Sequence, residues 1–173
     1  MLFNPAHHNR QTRRLIGHDY AGVGFYFVTV CAARRGNIFG SIREGQMFVN
    51  SHGRIILNEW RETERLRPEV RFDDWCLMPD HFHALVWIEG QNGGDTPSFG
   101  HRIPRSLGAL VGGWKGACSR GAETLRRERN WSDIALWQRN YYDHIVRDER
   151  ELELIRRYIY DNPLIWGQDD HWD

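Results

Sequence analysis

The chain has 173 residues and a mass of 20.5 kDa, a length that one domain spanning 1–173 accommodates. With 40% hydrophobic and 27% charged residues it fits neither a disordered chain nor a membrane protein. The 23 basic and 23 acidic residues cancel, which taken alone argues against a nucleic-acid partner, but 22 of the basic residues are Arg, Lys115 is the sole lysine, and there are 8 Trp. Guanidinium forks and flat rings clamp phosphates and stack on bases, and they also serve as ordinary core and rim material.

A polar, basic lead-in over 1–20, with Arg10, Arg13 and Arg14, shows no basic-then-apolar leader pattern, so a cytoplasmic protein is expected. Phe25 to Cys31, β-branched and aromatic between glycines, reads as a buried strand. Ile38 to Val49 reads as a short hairpin around a Glu44-Gly45 turn. Ser51 is the expected cap of a helix to about Leu66, with Pro68 beyond its end. Val70 to Met78 and His81 to Ile88 are strands joined by a Pro79-Asp80 turn.

Glu89 to Arg105 is rich in Gly, Pro and polar residues and reads as an exposed, flexible loop. Ser106 caps the next segment, where Leu107, Leu110, Val111, Trp114 and Cys118 recur at helical spacing despite five glycines. Ile134 to Val146 is mixed and holds a short strand. Asp148 to Asn162 is the clearest helix, capped by Asp148 and stopped by Pro163. Paired strands separated by helices suggest an α+β sandwich of ferredoxin-like type, with helices on a central antiparallel sheet. Cys31, Cys76 and Cys118 form no CxxC pair and read as reduced, buried thiols.

Charge is not spread evenly. Residues 101–130 hold seven basic residues, among them Arg102, Arg105, Lys115 and Arg120, against two acids, for a net +5. Residues 143–173 hold nine acids against four arginines, for a net −5. The first stretch is either a phosphate-binding surface or a solvated helix face partnered by the second.

The run Leu77-Met78-Pro79-Asp80-His81-Phe82-His83-Ala84-Leu85-Val86-Trp87 carries chemistry. Residues two apart on a strand project from one face about 7 Å apart, so His81 and His83 can converge on one divalent ion. Two imidazoles need a third ligand. On the helix ending Tyr158-Ile159-Tyr160-Asp161-Asn162-Pro163, Tyr158 and Asn162 lie about 40° apart on one face. Asn162 can offer its amide oxygen while Tyr158 points its phenol at what the metal holds. Singly, each feature also fits a bland role: structural histidines, an Asn that ends a helix, a Tyr at a core rim.

Together, YFVTVCAARRGNIFG, LMPDHFHALVWI, SLGALVGGWKGACSR and LWQRNYYDHIVRDERELELIRRYIYDNP resemble the REP-associated tyrosine transposases, a branch of the single-tyrosine HUH transposases of insertion sequences. The resemblance runs from about Arg13 to Gly167, with every block in order. It implies an RRM-like fold and metal-dependent cutting and rejoining of single-stranded DNA at REP-like hairpins. Carried over, His81, His83 and Asn162 bind Mg²⁺ or Mn²⁺, and Tyr158 is the nucleophile that forms a 5′-phosphotyrosine. Mobile relatives carry Gln where Asn162 stands, so the reach of the shorter amide is a point for the structure. Asp80 is a candidate partner of the metal ligands. Arg13, Arg14, Arg102, Arg105, Lys115 and Arg120 are candidate DNA contacts.

Tyr160 lies about 200° around the helix from Tyr158 and should face away. Tyr141 and Tyr142 lack an Asn one turn on. The resemblance further implies a protein of the cytoplasm, nucleoid-associated when DNA-bound, without a membrane, acting as a monomer or a homodimer. Two rivals stand beside it. One is an inactive single-stranded nucleic-acid-binding module whose sheet aromatics stack bases. The other is a structural zinc protein, which would want cysteine ligands near the His pair.

Overall fold

The computed structural model describes residues 18–89, 105–129 and 135–166. Arg13, Arg14, Arg102 and nearly all of the loop expected over 89–105 lie outside these residues.

Strand β1, Gly24–Cys31, alternates as a strand buried on both sides should: Tyr26, Val28 and Val30 enter one core and Phe25 and Phe27 the other. β2, Gly40–Arg43, and β3, Gln46–Val49, form the expected hairpin. Glu44 and Gly45 take φ of 50° and 71°, the positive pair that a type I′ turn requires. Helix α1, Ser51–Leu66, begins one residue earlier than expected, on Asn50 rather than Ser51. The Asn50 amide does two jobs at once. Its oxygen accepts from the Gly53 N–H at 3.1 Å, and its nitrogen donates to the Ile38 carbonyl at 2.9 Å.

β4, Val70–Leu77, and β5, His81–Ile88, pair across the Pro79-Asp80 turn, with a bulge that puts Asp73 and Asp74 out of register. Helix α2, Leu107–Arg129, is capped by Ser106 and keeps its full length despite its glycines. Its apolar stripe is wholly buried, and Gly121 lets Ile55 of α1 come within 2.8 Å of where a Cβ would stand. The mixed segment resolves into a bridge between Ala32 and Trp137 and strand β6, Tyr142–Ile145.

Helix α3, Glu149–Ile165, is capped by Asp148 but is not stopped by Pro163. A proline in the last turn removes one backbone donor, and Leu164 beyond it packs on Gly45 at the hairpin tip.

The sheet order is β4-β5-β1-β6, antiparallel throughout. β1-α1-β4 and β5-α2-β6 are two interleaved crossovers, so the fold is a ferredoxin-like α+β sandwich. The larger core lies under α1 and α2, where Trp60 meets Trp114 edge-on at 5.1 Å and Phe82 at 4.8 Å. The opposite face of the sheet carries α3, whose Leu152, Ile155 and Ile159 pack on Phe27 and Leu85. Among the described residues no helix is long and apolar enough to cross a membrane.

Candidate active site

The two-residue period of β5 sends Phe82, Ala84 and Val86 into the larger core and turns His81, His83 and Leu85 to the face that α3 covers. In register, Thr29 and Cys76 stand on either side of His83, and Cys31 stands opposite His81. The His81 and His83 rings lie 4.5 Å apart.

Each imidazole is held by its Nδ1. His81 Nδ1 donates to Asp80 Oδ1 at 2.8 Å, which leaves the Nε2 lone pair free. His83 Nδ1 lies 2.8 Å from Thr29 Oγ1, and its ring stacks on Phe27 with centroids 5.3 Å apart. The tautomer that donates from Nδ1 to the threonine oxygen leaves Nε2 as a lone-pair donor here too. Outer partners of this kind fix which ring nitrogen a metal sees. His83 is 2% exposed. Burial, and then the neighbouring His81, hold its pKa well below the usual histidine range, so the ring is neutral.

α3 brings the second half of the site. Leu152, Ile155, Ile159 and Asn162 are its buried residues. Tyr158, at the edge of that stripe, is half-buried, with its ring edge-on to Phe27 at 6.0 Å and to His83 at 5.3 Å. Its hydroxyl stands 3.4 Å from His83 Nε2. Asn162, one turn on, is a polar side chain only 6% exposed. Tyr160 points away, 76% exposed. Tyr141 packs against the larger core instead.

Imidazole nitrogens and an amide oxygen are donor types that Mg²⁺ or Mn²⁺ can take together with water and phosphate oxygens. Among the described residues no group of three His, Cys, Asp or Glu side chains could hold a metal ion by itself. The zinc rival has cysteines closer than the sequence suggested, since Cys31 and Cys76 pair with His81 and His83. Burial pushes their thiols up to about 11 and about 12, so neither is a thiolate.

The expected DNA contacts do not gather here. Lys115 is half-buried, and its ammonium donates to the carbonyls of Gln138, Arg139 and Asn140 at 2.7, 3.3 and 3.1 Å. Arg120 is exposed on α2, across the sheet from α3. Arg105 acts on Glu69, just before Val70, at the opposite end of the β4–β5 hairpin from His81. Three residues that tie β5 or α3 to the rest of the sheet escaped the sequence reading. Thr29 had a visible signal, a polar residue inside FYFVTVC. Asp73 and Arg156, joined at 2.7 Å, had none.

No protein-family model matches the chain. It is 33% identical over 176 residues to an uncharacterized protein of Haemophilus influenzae, covering 96% of this chain and 95% of that one. It is 25% identical over 152 residues to a second protein of that organism, named "Putative REP-associated tyrosine transposase", covering 86% and 75%. Among solved structures, a REP-associated tyrosine transposase bound to a REP hairpin shares the fold. Its TM-score is 0.62 at 17% identity, over 91% of this chain and 74% of the other.

Proposed function

The chain belongs to the family of the REP-associated tyrosine transposases, and on that premise we propose that it cuts and rejoins single-stranded DNA at REP-like hairpins through Tyr158. The observation that carries the reading is the Tyr158 hydroxyl at 3.4 Å from the Nε2 of His83, within an H-x-H pair. The buried Asn162 one turn later completes the set.

The phenol is the nucleophile. Its oxygen bonds to phosphorus, its proton is lost, and the bond to the 3′ oxygen breaks, leaving a 5′-phosphotyrosine and a 3′-OH. The covalent bond conserves energy, so another 3′-OH can reverse the step without ATP. Phe27 and His83 hold the phenol edge-on before DNA enters, which lowers the ordering needed at the moment of attack. His81, His83 and Asn162 would hold Mg²⁺ or Mn²⁺, which when bound polarises a non-bridging phosphate oxygen and offsets developing charge. Asp80 and Thr29 orient the two imidazoles.

Arg120 on α2, with Arg102, Arg105, Arg13 and Arg14, is assigned to phosphate contacts along the hairpin. Lys115 holds the 138–140 segment instead. α3 packs on the sheet through Leu152, Ile155 and Ile159, which supports a site built from Tyr158 and the β5 histidines. Such a protein works where chromosomal DNA lies, in the cytoplasm and on the nucleoid. Phe25 and Phe27, aromatics that a base-stacking module would expose, pack against the residues of α3, which favours the enzyme over the inactive binding module.

The test incubates the protein with Mg²⁺ and a labelled hairpin oligonucleotide carrying a single-stranded foot. An SDS-resistant protein–DNA adduct is expected from the wild type and none from Tyr158→Phe. A wild type that binds the hairpin without forming an adduct would favour the binding module.

A further inference from the structure

We propose that the ion pair between Arg156 and Asp73 sets the rotation of α3 on the sheet and thereby positions Tyr158; this rests on Tyr158 being the nucleophile. Arg156 Nε lies 3.0 Å from Asp73 Oδ1 and Nη2 lies 2.7 Å from Oδ2, a two-pronged contact that fixes direction as well as distance. The side chains are 32% and 19% exposed, well shielded compared with the helix-surface pairs. Most other described ion pairs close within one helix or between near neighbours in sequence. This one joins residues 83 apart. A second tie, His144 Nε2 to Glu151 Oε1 at 2.8 Å, holds only the first turn of α3.

The bulge in β4 is what makes the contact possible. Asp73 falls where the pairing with β5 loses its register, so its side chain is released from the regular alternation and meets the helix.

Helix geometry then links the pair to the phenol. Around α3, Arg156 stands about 80° to one side of the middle of the buried stripe, and Tyr158 stands about 80° to the other. The helix thus rests on the sheet by Leu152, Ile155 and Ile159, with an ionic stay at one shoulder and the phenol at the other. Apolar burial is non-directional and resists rolling weakly. The phenol oxygen lies about 9 Å from the helix axis, so a roll of about 20° carries it roughly 3 Å, enough to misplace it relative to the His81–His83 pair. The guanidinium fork opposes that roll. Arg156 bonds to Asp73 and Glu153, and the pair acts through Tyr158 as a positioning device.

The experiment measures adduct formation on hairpin DNA for the wild type, Arg156→Leu and Arg156→Lys, and records the Tyr158 ring resonances by NMR. Phe27 and His83 shift those resonances in the wild type through their ring currents. Arg156→Leu is expected to form adduct about 10- to 100-fold more slowly, with hairpin affinity unchanged and the Tyr158 resonances moved towards free tyrosine. Arg156→Lys keeps the charge and stem without the fork and should fall in between. Glu153→Gln removes the exposed second partner of Arg156 and should react like the wild type.

Wild-type rates and unmoved resonances in both Arg156 variants would overturn the proposal and leave the nucleophile standing. A wild type without adduct, whose Tyr158 resonances still move on Arg156→Leu, would sink the nucleophile and leave the positioning role intact.

Discussion

Tyr158 and His83 meet across the seam between α3 and the sheet, hydroxyl to Nε2 at 3.4 Å. That nitrogen is the one His83 has to offer, since its Nδ1 is engaged by Thr29. A metal bound there and a phenol bonded there exclude each other, so cation loading should free Tyr158 from His83. Adding Mg²⁺ or Mn²⁺ to the protein alone is expected to shift the Tyr158 resonances in the wild type and not in His81→Ala. The same variant should lose cleavage while retaining hairpin affinity; loss of binding would mark His81 as structural.

Thr29 is the outer partner of His83, and Thr29→Val keeps its shape while removing the oxygen. The ring loses its fixed tautomer, and affinity for the activating cation should fall about 10- to 100-fold. A cation titration of cleavage rate reads this directly. Saturating cation should recover much of the rate, whereas Tyr158→Phe stays dead at any concentration.

Acid should destabilise the metal-free protein through His83. Its folded pKa is depressed by burial, so below the unfolded value near ~6.5 the unfolded chain takes up a proton that the folded one refuses. The contribution is fully present above that pH and is lost as pH falls below it. The slope is about 1.4 kcal/mol per pH unit, down to the folded pKa. Denaturant melts from pH 7.5 to 5, compared between wild type and His83→Gln, would show a flatter acid limb in the variant.

Lys115→Met keeps the stem and removes the ammonium that gathers three carbonyls. The expected result is a loss of about 2 kcal/mol in unfolding free energy, with hairpin affinity nearly unchanged. The reverse pattern would return Lys115 to the phosphate surface.

Gly53→Ala is ordinarily stabilising in a helix. Here the added Cβ would run into the Phe39 carbonyl and stand 2.9 Å from the Val49 Cβ, where α1 closes on the base of the hairpin. A loss of about 2 kcal/mol or more is expected, because backbone cannot yield as a flexible side chain can. A rise in thermal midpoint would show that the hairpin moves aside.

Much of the site can be read from spacing alone. His81 and His83 share a strand face and Tyr158 and Asn162 a helix face because periods of two and 3.6 are local rules. Which side of the sheet α3 covers is not local, and that choice buries Phe27 beneath the helix. The Arg156–Asp73 contact depends on a bulge that no pattern announces. Charge was the poorest guide: Lys115 lies in the +5 stretch, yet its target is backbone carbonyl. Errors at helix ends were small and physical, with Asn50 outreaching Ser51 at one start and Pro163 tolerated within a last turn.

The scarcity of lysine has a practical edge. With Lys115 the only side-chain amine, and that one folded onto the 138–140 segment, the surface is almost blind to amine chemistry. Acetylation of lysine cannot tune the grip of this protein on nucleic acid, and amine-directed crosslinkers will under-report its complexes. Reagents that target carboxylates or guanidinium groups are the ones that would capture it at work.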